Sequence, residues 1–337
     1  MQKFLIIQTA FIGDVVLATI IIEKLHANFP DAQIDFLLRK GNEGLLQNHP
    51  YLNEVLIWVK KKDKTKNLFK LINIIRRKKY DKVINVQRFF STGLITALSN
   101  AKEKIGFDKN PLSFLFDVKV KHIIGTKENP VHEVQRNLSL ISHFTDGEPA
   151  KMKLYPSKED FDKAGSIVNS QLSIANYVCV APSSVWFTKQ FPPEKWIEFI
   201  QSCDSKLKIY LLGAPSDHHV CESIRLASAH SGVVNLSGKL SFLESAALIG
   251  GAQMNFVNDS APMHMASSMN APVTAIFCST LPSFGFGPLS DKSFVVETKE
   301  KLDCCPCGSH GLKECPKGHF KCAYSIPNKD LVTLLSV

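Results

Sequence analysis

An acidic side chain, Asp14, interrupts one of the most apolar stretches of the chain, in the run Thr9-Ala10-Phe11-Ile12-Gly13-Asp14. A carboxylate between a buried strand and a helix can take a proton from a hydroxyl; it can equally cap the helix, since Asp is favoured at helix starts. Gly13 beside it permits a close backbone approach or a positive φ. The three spaced glycines of a dinucleotide-binding turn are missing here. Far along the chain, Asn258-Asp259-Ser260-Ala261-Pro262-Met263-His264 carries a strand into a helix. Pro262 is tolerated in a first helical turn, and the free N–H groups there, with the helix dipole, suit an anion such as a diphosphate. Ser260 adds a hydroxyl donor, and His264 lies one turn further on. Taken singly, Asp259 reads as well as a cap and His264 as a core histidine; together the convergent polar groups favour a site. A third stretch, Ala181 to Lys189, offers the hydroxyls of Ser183 and Ser184, with Thr188 and Lys189 behind them. Lys supplies a point charge for a departing phosphate, though Lys189 also reads as an exposed loop residue.

Each of these stretches follows a short apolar run, and the runs alternate with helical spacing. Strands are expected at residues 4–8, 34–38, 55–59 and 82–85, with helices at 15–29 and 68–75 between them. After a charged, Pro156-containing stretch the alternation restarts. Strands are expected at 177–181, 209–213, 233–236, 254–258 and 273–277, and helices at 193–203, 216–230, 242–250 and 261–269. Such alternation implies βαβ units and parallel sheets, hence an α/β chain of two doubly wound, Rossmann-like domains facing a central cleft. The boundaries are set at 1–155 and 156–337, with the chain end able to pack back on the first domain. Ligands of such sheets bind beyond the carboxyl ends of the strands, where all three stretches fall.

The bulk composition bounds the function. With 45% hydrophobic and 21% charged residues the chain reads as globular. The net charge of +9 is concentrated between Lys60 and Lys82. That cluster (Lys60, Lys61, Lys62, Lys64, Lys66, Lys70, Arg76, Arg77, Lys78, Lys79, Lys82) would attract phosphate-rich partners or an anionic lipid surface, or is simply a solvated helix face. It lacks the interleaved aromatics of a nucleic-acid platform apart from Phe69 and Tyr80, which weighs against a nucleic-acid binder. The apolar start, residues 4–22, contains Asp14 and no cleavage-type site, so it reads as strand, turn and helix, and a cytoplasmic protein is expected. Of nine cysteines, Cys179, Cys203, Cys221 and Cys278 read as buried thiols. Cys304, Cys305, Cys307, Cys315 and Cys322, with His319, crowd near the end without a standard zinc spacing. Free thiols are expected there ahead of zinc or a disulfide.

At these stretches the chain resembles glycosyltransferase family 9, the heptosyltransferases of lipopolysaccharide core assembly. The carriers are IIQTAFIGDVVLATIIIEKL, APSSVWFTKQFPPEKW and NDSAPMHMASSMNAPVTAIF, with LLGAPSDHHV and NLSGKLSFLESAALIGGAQ between them in order. The resemblance implies a GT-B fold, with the acceptor on the N-terminal domain and the nucleotide on the C-terminal one. It implies inverting, metal-independent transfer from ADP-L-glycero-D-manno-heptose to a core acceptor, lipid-linked or phosphorylated, with peripheral contact at the inner face of the inner membrane. Asp14 would be the general base, supported by Gly13. Ser183, Ser184, Thr188 and Lys189 would hold the diphosphate, Asp217 the ribose and Leu240 the adenine. Asp259, Ser260, Ala261 and His264 would form the pyrophosphate and sugar loop. Three positions depart from the family pattern: Ala261 stands where Gly is usual, Cys278-Ser279-Thr280 where Gly-Pro-Thr is usual, and Asp217 where Glu is usual. The remaining alternatives are a GT-B transferase of another nucleotide-sugar and a non-catalytic nucleotide binder. Arg88 and Arg136 are acceptor candidates by position alone.

Overall fold

The structure, a computed structural model, describes residues 1–60, 63–169 and 176–335. Lys61 and Lys62 of the basic cluster lie outside the described residues. Contacts divide the chain into two units, Met1–Gly125 with Pro130–Tyr155, and Thr126–Asn129 with Pro156–Val337.

In the first unit the chain runs β1 (Lys3–Ile7), α1 (Ile12–Asn28), β2 (Gln33–Arg39), β3 (Glu54–Trp58), α2 (Lys64–Lys78), β4 (Lys82–Asn85), α3 (Phe90–Ala97), β5 (Glu103–Phe107), β6 (Val118–Val120) and α4 (Glu133–Ser139). All its strand pairs are parallel, in the order β3-β2-β1-β4-β5-β6. The chain therefore winds outward one way from β1 and then the other way from β4, and the crevice between their ends is the switch point. Residues 15 to 22 of α1 are all buried, as befits a helix packed on both sides, with the Asn137 side chain of α4 donating to Leu17 O at 3.2 Å. No described helix is long and apolar enough to cross a membrane. The amphipathic α2 buries Leu68, Leu71, Ile72 and Ile75 and turns its cations outward, except Lys78, which pairs with the buried Asp35.

In the second unit α5 (Lys158–Val168) leads into β7 (Tyr177–Ala181), α6 (Pro193–Gln201), β8 (Lys208–Leu211), α7 (His218–Ser228), β9 (Val233–Asn235), α8 (Phe242–Gly251), β10 (Met254–Asn258), α9 (Ala261–Ser268), β11 (Val273–Phe277) and β12 (Ser293–Glu297). The sheet is again wholly parallel, β12-β11-β10-β7-β8-β9, with its switch point between β7 and β10. Near-continuous apolar strands, such as fully buried Tyr177–Ala181, are what a sheet covered by helices on both faces requires. The chain ends in α10 (Lys321–Tyr324) and α11 (Asn328–Val332); α11 packs on α6, and Leu335 O accepts from Gln253 at 3.0 Å, all within the second unit. Two parallel, doubly wound sheets of one strand order define two Rossmann-like domains.

Candidate active site

In the first unit the turn after β1 carries Asp14. Helix α1 begins at Ile12, so Asp14 is its third residue and not its N-cap. Its Oδ2 accepts the backbone N–H of the N-cap residue, Phe11, at 3.0 Å, one arm of a capping box. Gly13 lies inside this first turn and is not among the positive-φ residues, so what it contributes is the lack of a side chain beside Asp14 and not a left-handed turn. Around the turn the carboxyl ends of neighbouring strands supply a polar network that the sequence reading missed. The Lys60 ammonium, beyond β3, donates to Thr9 O at 3.0 Å and Thr9 Oγ1 at 2.9 Å and lies over the Trp58 ring at 4.5 Å. Burial, reinforced by the charges of Arg39 and Lys64, pulls its pKa down to about 8. Thr9 in turn donates to Gln87 Oε1 at 3.4 Å, and the Gln87 amide donates to Gln8 Oε1. The one available signal was a set of polar residues, Gln8, Thr9, Asn85 and Gln87, fully or nearly buried at strand ends.

Arg136 is not placed as an acceptor ligand. It is 4% exposed, and its guanidinium binds the Glu133 carboxylate and the carbonyls of Val131 and Ile123. Arg88 is exposed immediately after the β4 end.

In the second unit the loops after β7 and β10 flank the switch point. Asn258, fully buried, staples them: its side-chain amide donates to Pro182 O at 2.8 Å and its Oδ1 accepts Phe191 N at 2.9 Å. Lys189 closes a short 3-10 turn, Phe187–Lys189, and its ammonium meets Asp259 Oδ2 at 2.7 Å. Asp259 also accepts the Thr280 hydroxyl at 2.6 Å. Asp259 is thus an ion-pair partner, while Ser260 is the N-cap of α9, in extended conformation and without a side-chain cap bond. Ala261 begins that helix and is not among the positive-φ residues, so its methyl group is unstrained there. His264 is 5% exposed one turn along, with its ring edge-on to Phe286 at 6.4 Å. Ser183 and Ser184 are half-buried on the loop after β7, where Ser184 O accepts the Gln190 amide at 2.7 Å.

Thr188, also expected among the donor contacts, lies inside the Lys189 turn. It is fully buried, and its hydroxyl accepts from Ser279 Oγ at 2.9 Å and from Leu312 N at 2.7 Å, while its own N–H donates to Leu312 O at 3.1 Å. Through these bonds it ties the Lys189 turn to the Cys-rich segment. Gly311 is needed for that approach: its φ is +77°, and a Cβ there would lie 3.0 Å from the Lys189 side chain.

Asp217 and Leu240 follow the neighbouring strands β8 and β9. Asp217 ends a 3-10 turn and accepts Ala214 N at 2.7 Å through one carboxylate oxygen. Gly238 N donates to Gly213 O at 2.9 Å, which holds the half-buried Leu240 loop against the Asp217 turn. All nine cysteines are free. The Cys305 thiol donates to Cys278 O at 3.6 Å, and its interaction with the neighbouring Cys322 brings the Cys305 pKa down to about 7 and pushes Cys322 up. Among the described residues no group of three or more His, Cys, Asp or Glu is arranged to hold a metal ion.

Two Rossmann-like domains of one strand order are the two halves of a GT-B fold; here one presents a cation and a helix N-terminus at its switch point and the other a carboxylate. The sequence profile of glycosyltransferase family 9 (heptosyltransferase) matches residues 68–314, and the chain belongs to that family. It is 30% identical over 287 residues to lipopolysaccharide heptosyltransferase 3 of Escherichia coli, covering 80% of this chain and 82% of that protein. Among solved structures it resembles the glycosyl transferase family 9 protein of Veillonella parvula, with TM-score 0.84, 18% identity, and coverage of 99% of this chain and 97% of that one. It also resembles the E. coli ADP-heptose lps heptosyltransferase II, with TM-score 0.79, 22% identity and 99% coverage of both chains.

Proposed function

We propose that this protein transfers heptose from ADP-L-glycero-D-manno-heptose to a lipopolysaccharide core acceptor, with inversion and with Asp14 as general base. The observation that carries the reading is the ion-paired Lys189, held at the start of α9 beside Ser260, where a diphosphate gains both a cation and free helix N–H groups. On this reading Ser183, Ser184, Ser260 and Ala261 line the diphosphate, Asp217 uses its second oxygen for the ribose, and Leu240 lies on the adenine. Asp259 and His264 contact the sugar. Charge on the departing ADP is met by Lys189 and the dipole of α9, and transfer proceeds without a metal. The acceptor is a lipid-linked or phosphorylated glycan, drawn by the cations of the first unit, and the reaction takes place in the cytoplasm at the inner membrane. The names of the similar proteins support the donor and acceptor classes.

Asp14→Asn is the direct test. The amide oxygen can still accept the Phe11 N–H, so the helix start is kept, while the base is removed. Transfer should fall by about 100-fold or more, the size of a general-base contribution, with ADP affinity unchanged. Turnover near wild type would remove Asp14 from the mechanism. A donor panel of ADP- and UDP-sugars reads the nucleotide specificity in the same assay.

A further inference from the structure

The first unit exposes six large apolar side chains on the three segments that leave one end of its sheet. Phe89 and Phe90 follow β4 and are 62% and 57% exposed; Phe114 and Leu115 follow β5 and are 69% and 46% exposed; Ile123 and Ile124 follow β6 and are 49% and 50% exposed. Because β4, β5 and β6 are adjacent and parallel, all three segments leave the same, carboxyl end of the sheet. They are also fastened to one another. The Asn110 amide donates to Gln87 O and Phe89 O, both at 3.1 Å, and its Oδ1 accepts Leu112 N at 2.9 Å. Asp108 N donates to Val120 O at 2.9 Å, and Asp108 Oδ1 accepts His122 N at 2.9 Å.

Singly exposed apolar residues need no explanation, but six on three tethered segments do. The charges around them are predominantly positive. Arg88, Lys109, Lys119 and Lys121 are exposed on the same segments. Of the nearby acids, Asp108 keeps its charge while accepting His122 N and Asp117 pairs with Lys104, so the four cations outnumber the acids. Aromatic and branched side chains flanked by lysines and an arginine match the boundary of an anionic bilayer, where rings sit at headgroup depth and cations meet lipid phosphates.

We propose that this end of the first unit docks on an anionic membrane surface through Phe89, Phe90, Phe114, Leu115, Ile123 and Ile124. The turn bearing Asp14 leaves the same end of the same sheet, from β1, so docking would present it toward the bilayer from which a lipid-linked acceptor rises. This consequence rests on the proposed transfer; the docking itself does not.

The test is co-sedimentation of the full-length protein with vesicles of phosphatidylcholine containing phosphatidylglycerol, against phosphatidylcholine alone. Wild type should bind the anionic vesicles. Phe114→Ser/Ile123→Ser/Ile124→Ser, with its melting temperature checked, should bind them on the order of 100-fold more weakly, the loss expected for withdrawing three partly inserted side chains. Lys109→Glu/Lys121→Glu should lose about tenfold or more, and only on anionic vesicles. Lys66→Glu/Lys70→Glu on α2 should remain close to wild type. The triple serine variant should keep wild-type transfer to a deacylated, water-soluble acceptor and lose transfer to one embedded in vesicles. Failure of wild type to transfer to either acceptor would sink the transferase reading and leave the vesicle result standing. The docking proposal is overturned if wild type ignores anionic vesicles or if the triple variant binds like wild type. It is also overturned if the triple variant turns an oligomer into a monomer in sedimentation velocity, which would make the surface a contact between copies of the chain.

Discussion

Replacing Lys189 by Met separates two effects that a single activity measurement would merge. Lys189 and Asp259 are 13% and 6% exposed at the side chain, so their ion pair is largely withdrawn from water. Removing the cation leaves the Asp259 carboxylate with the Thr280 hydroxyl as its remaining described partner at the site. Breaking a buried pair typically costs ~3–5 kcal/mol; with one hydroxyl retained, about 3 kcal/mol is the appropriate figure. For a domain of this size that lowers Tm by roughly 6–12 °C. Asp259→Asn combined with Lys189→Met removes both charges and should return stability to within ~1 kcal/mol of wild type. Binding of ADP should behave differently. A charge-assisted contact to a phosphate is worth ~1.5–3 kcal/mol, so Lys189→Met should weaken ADP by about 10- to 150-fold. The double variant should be no better, since neutralising Asp259 supplies no cation. Asp259→Asn alone should hold ADP at least as tightly as wild type, because Lys189 then no longer shares its charge with a neighbouring carboxylate. Thermal melts by circular dichroism and titration calorimetry with ADP give the four corners of this cycle. A Lys189→Met protein that melts like wild type, or a double variant that regains ADP affinity, would refute the reasoning.

Two further predictions concern titrating groups. Lys60 should titrate near pH 8 in carbon-13 NMR of the reductively methylated protein, well below the exposed lysines. Its folded pKa lies below the ordinary 10.5, so the unfolded chain holds the proton more tightly between about 8 and 10.5. Lys60 therefore costs stability below pH 8, and the cost is relieved as pH rises through that window; a midpoint at 10 or above contradicts its burial beside Thr9 and Trp58. Among the C-terminal thiols, Cys305 should react first with iodoacetamide at pH 8, because its interaction with the neighbouring Cys322 brings its pKa to about 7. Cys322→Ala should slow that labelling by about tenfold, as the stabilising neighbour is lost, and equal labelling of Cys304 or Cys315 in mass spectrometry would count against the assignment.

The sequence made the strands at 82–85, 177–181, 254–258 and 273–277 legible to the residue, because buried parallel strands are unbroken apolar runs bounded by turn residues. It hid β5, whose Glu103, Lys104 and Gly106 dilute the apolar signal, and β6 and β12, which end their sheets and carry polar residues on open faces. Helix α3 was hidden because Ser91, Thr92, Gly93 and Thr96 are poor helix formers; tertiary packing, with Gly93 fitted against Asn110, overrides that preference. At the site, residue type and strand ends located Lys189 and Asp259 but not their pairing, which depends on two loops far apart in the chain. Thr188 shows the limit most clearly. A hydroxyl next to a lysine proposed to bind phosphate reads as a ligand contact, yet the partners in the structure, Ser279 and Leu312, come from segments whose proximity no local pattern announces.

The pairing changes how the proposed reaction should be understood. Asp14 is held at a helix start by the Phe11 N–H, which it accepts through Oδ2. In the proposed reaction it takes the acceptor proton, and the donor side must meet the charge of the departing diphosphate. Lys189 is already oriented by Asp259, which in turn is fixed by Thr280, and the turn is locked through Thr188 to Leu312. The cation therefore needs little reorganisation to meet charge developing on the leaving group, which is the condition under which electrostatic stabilisation is most effective. On this argument the Cys-rich segment matters to catalysis through Leu312 and Gly311, which hold the Lys189 turn, and the thiols beside them bear on the reaction only as far as they keep that strap in place.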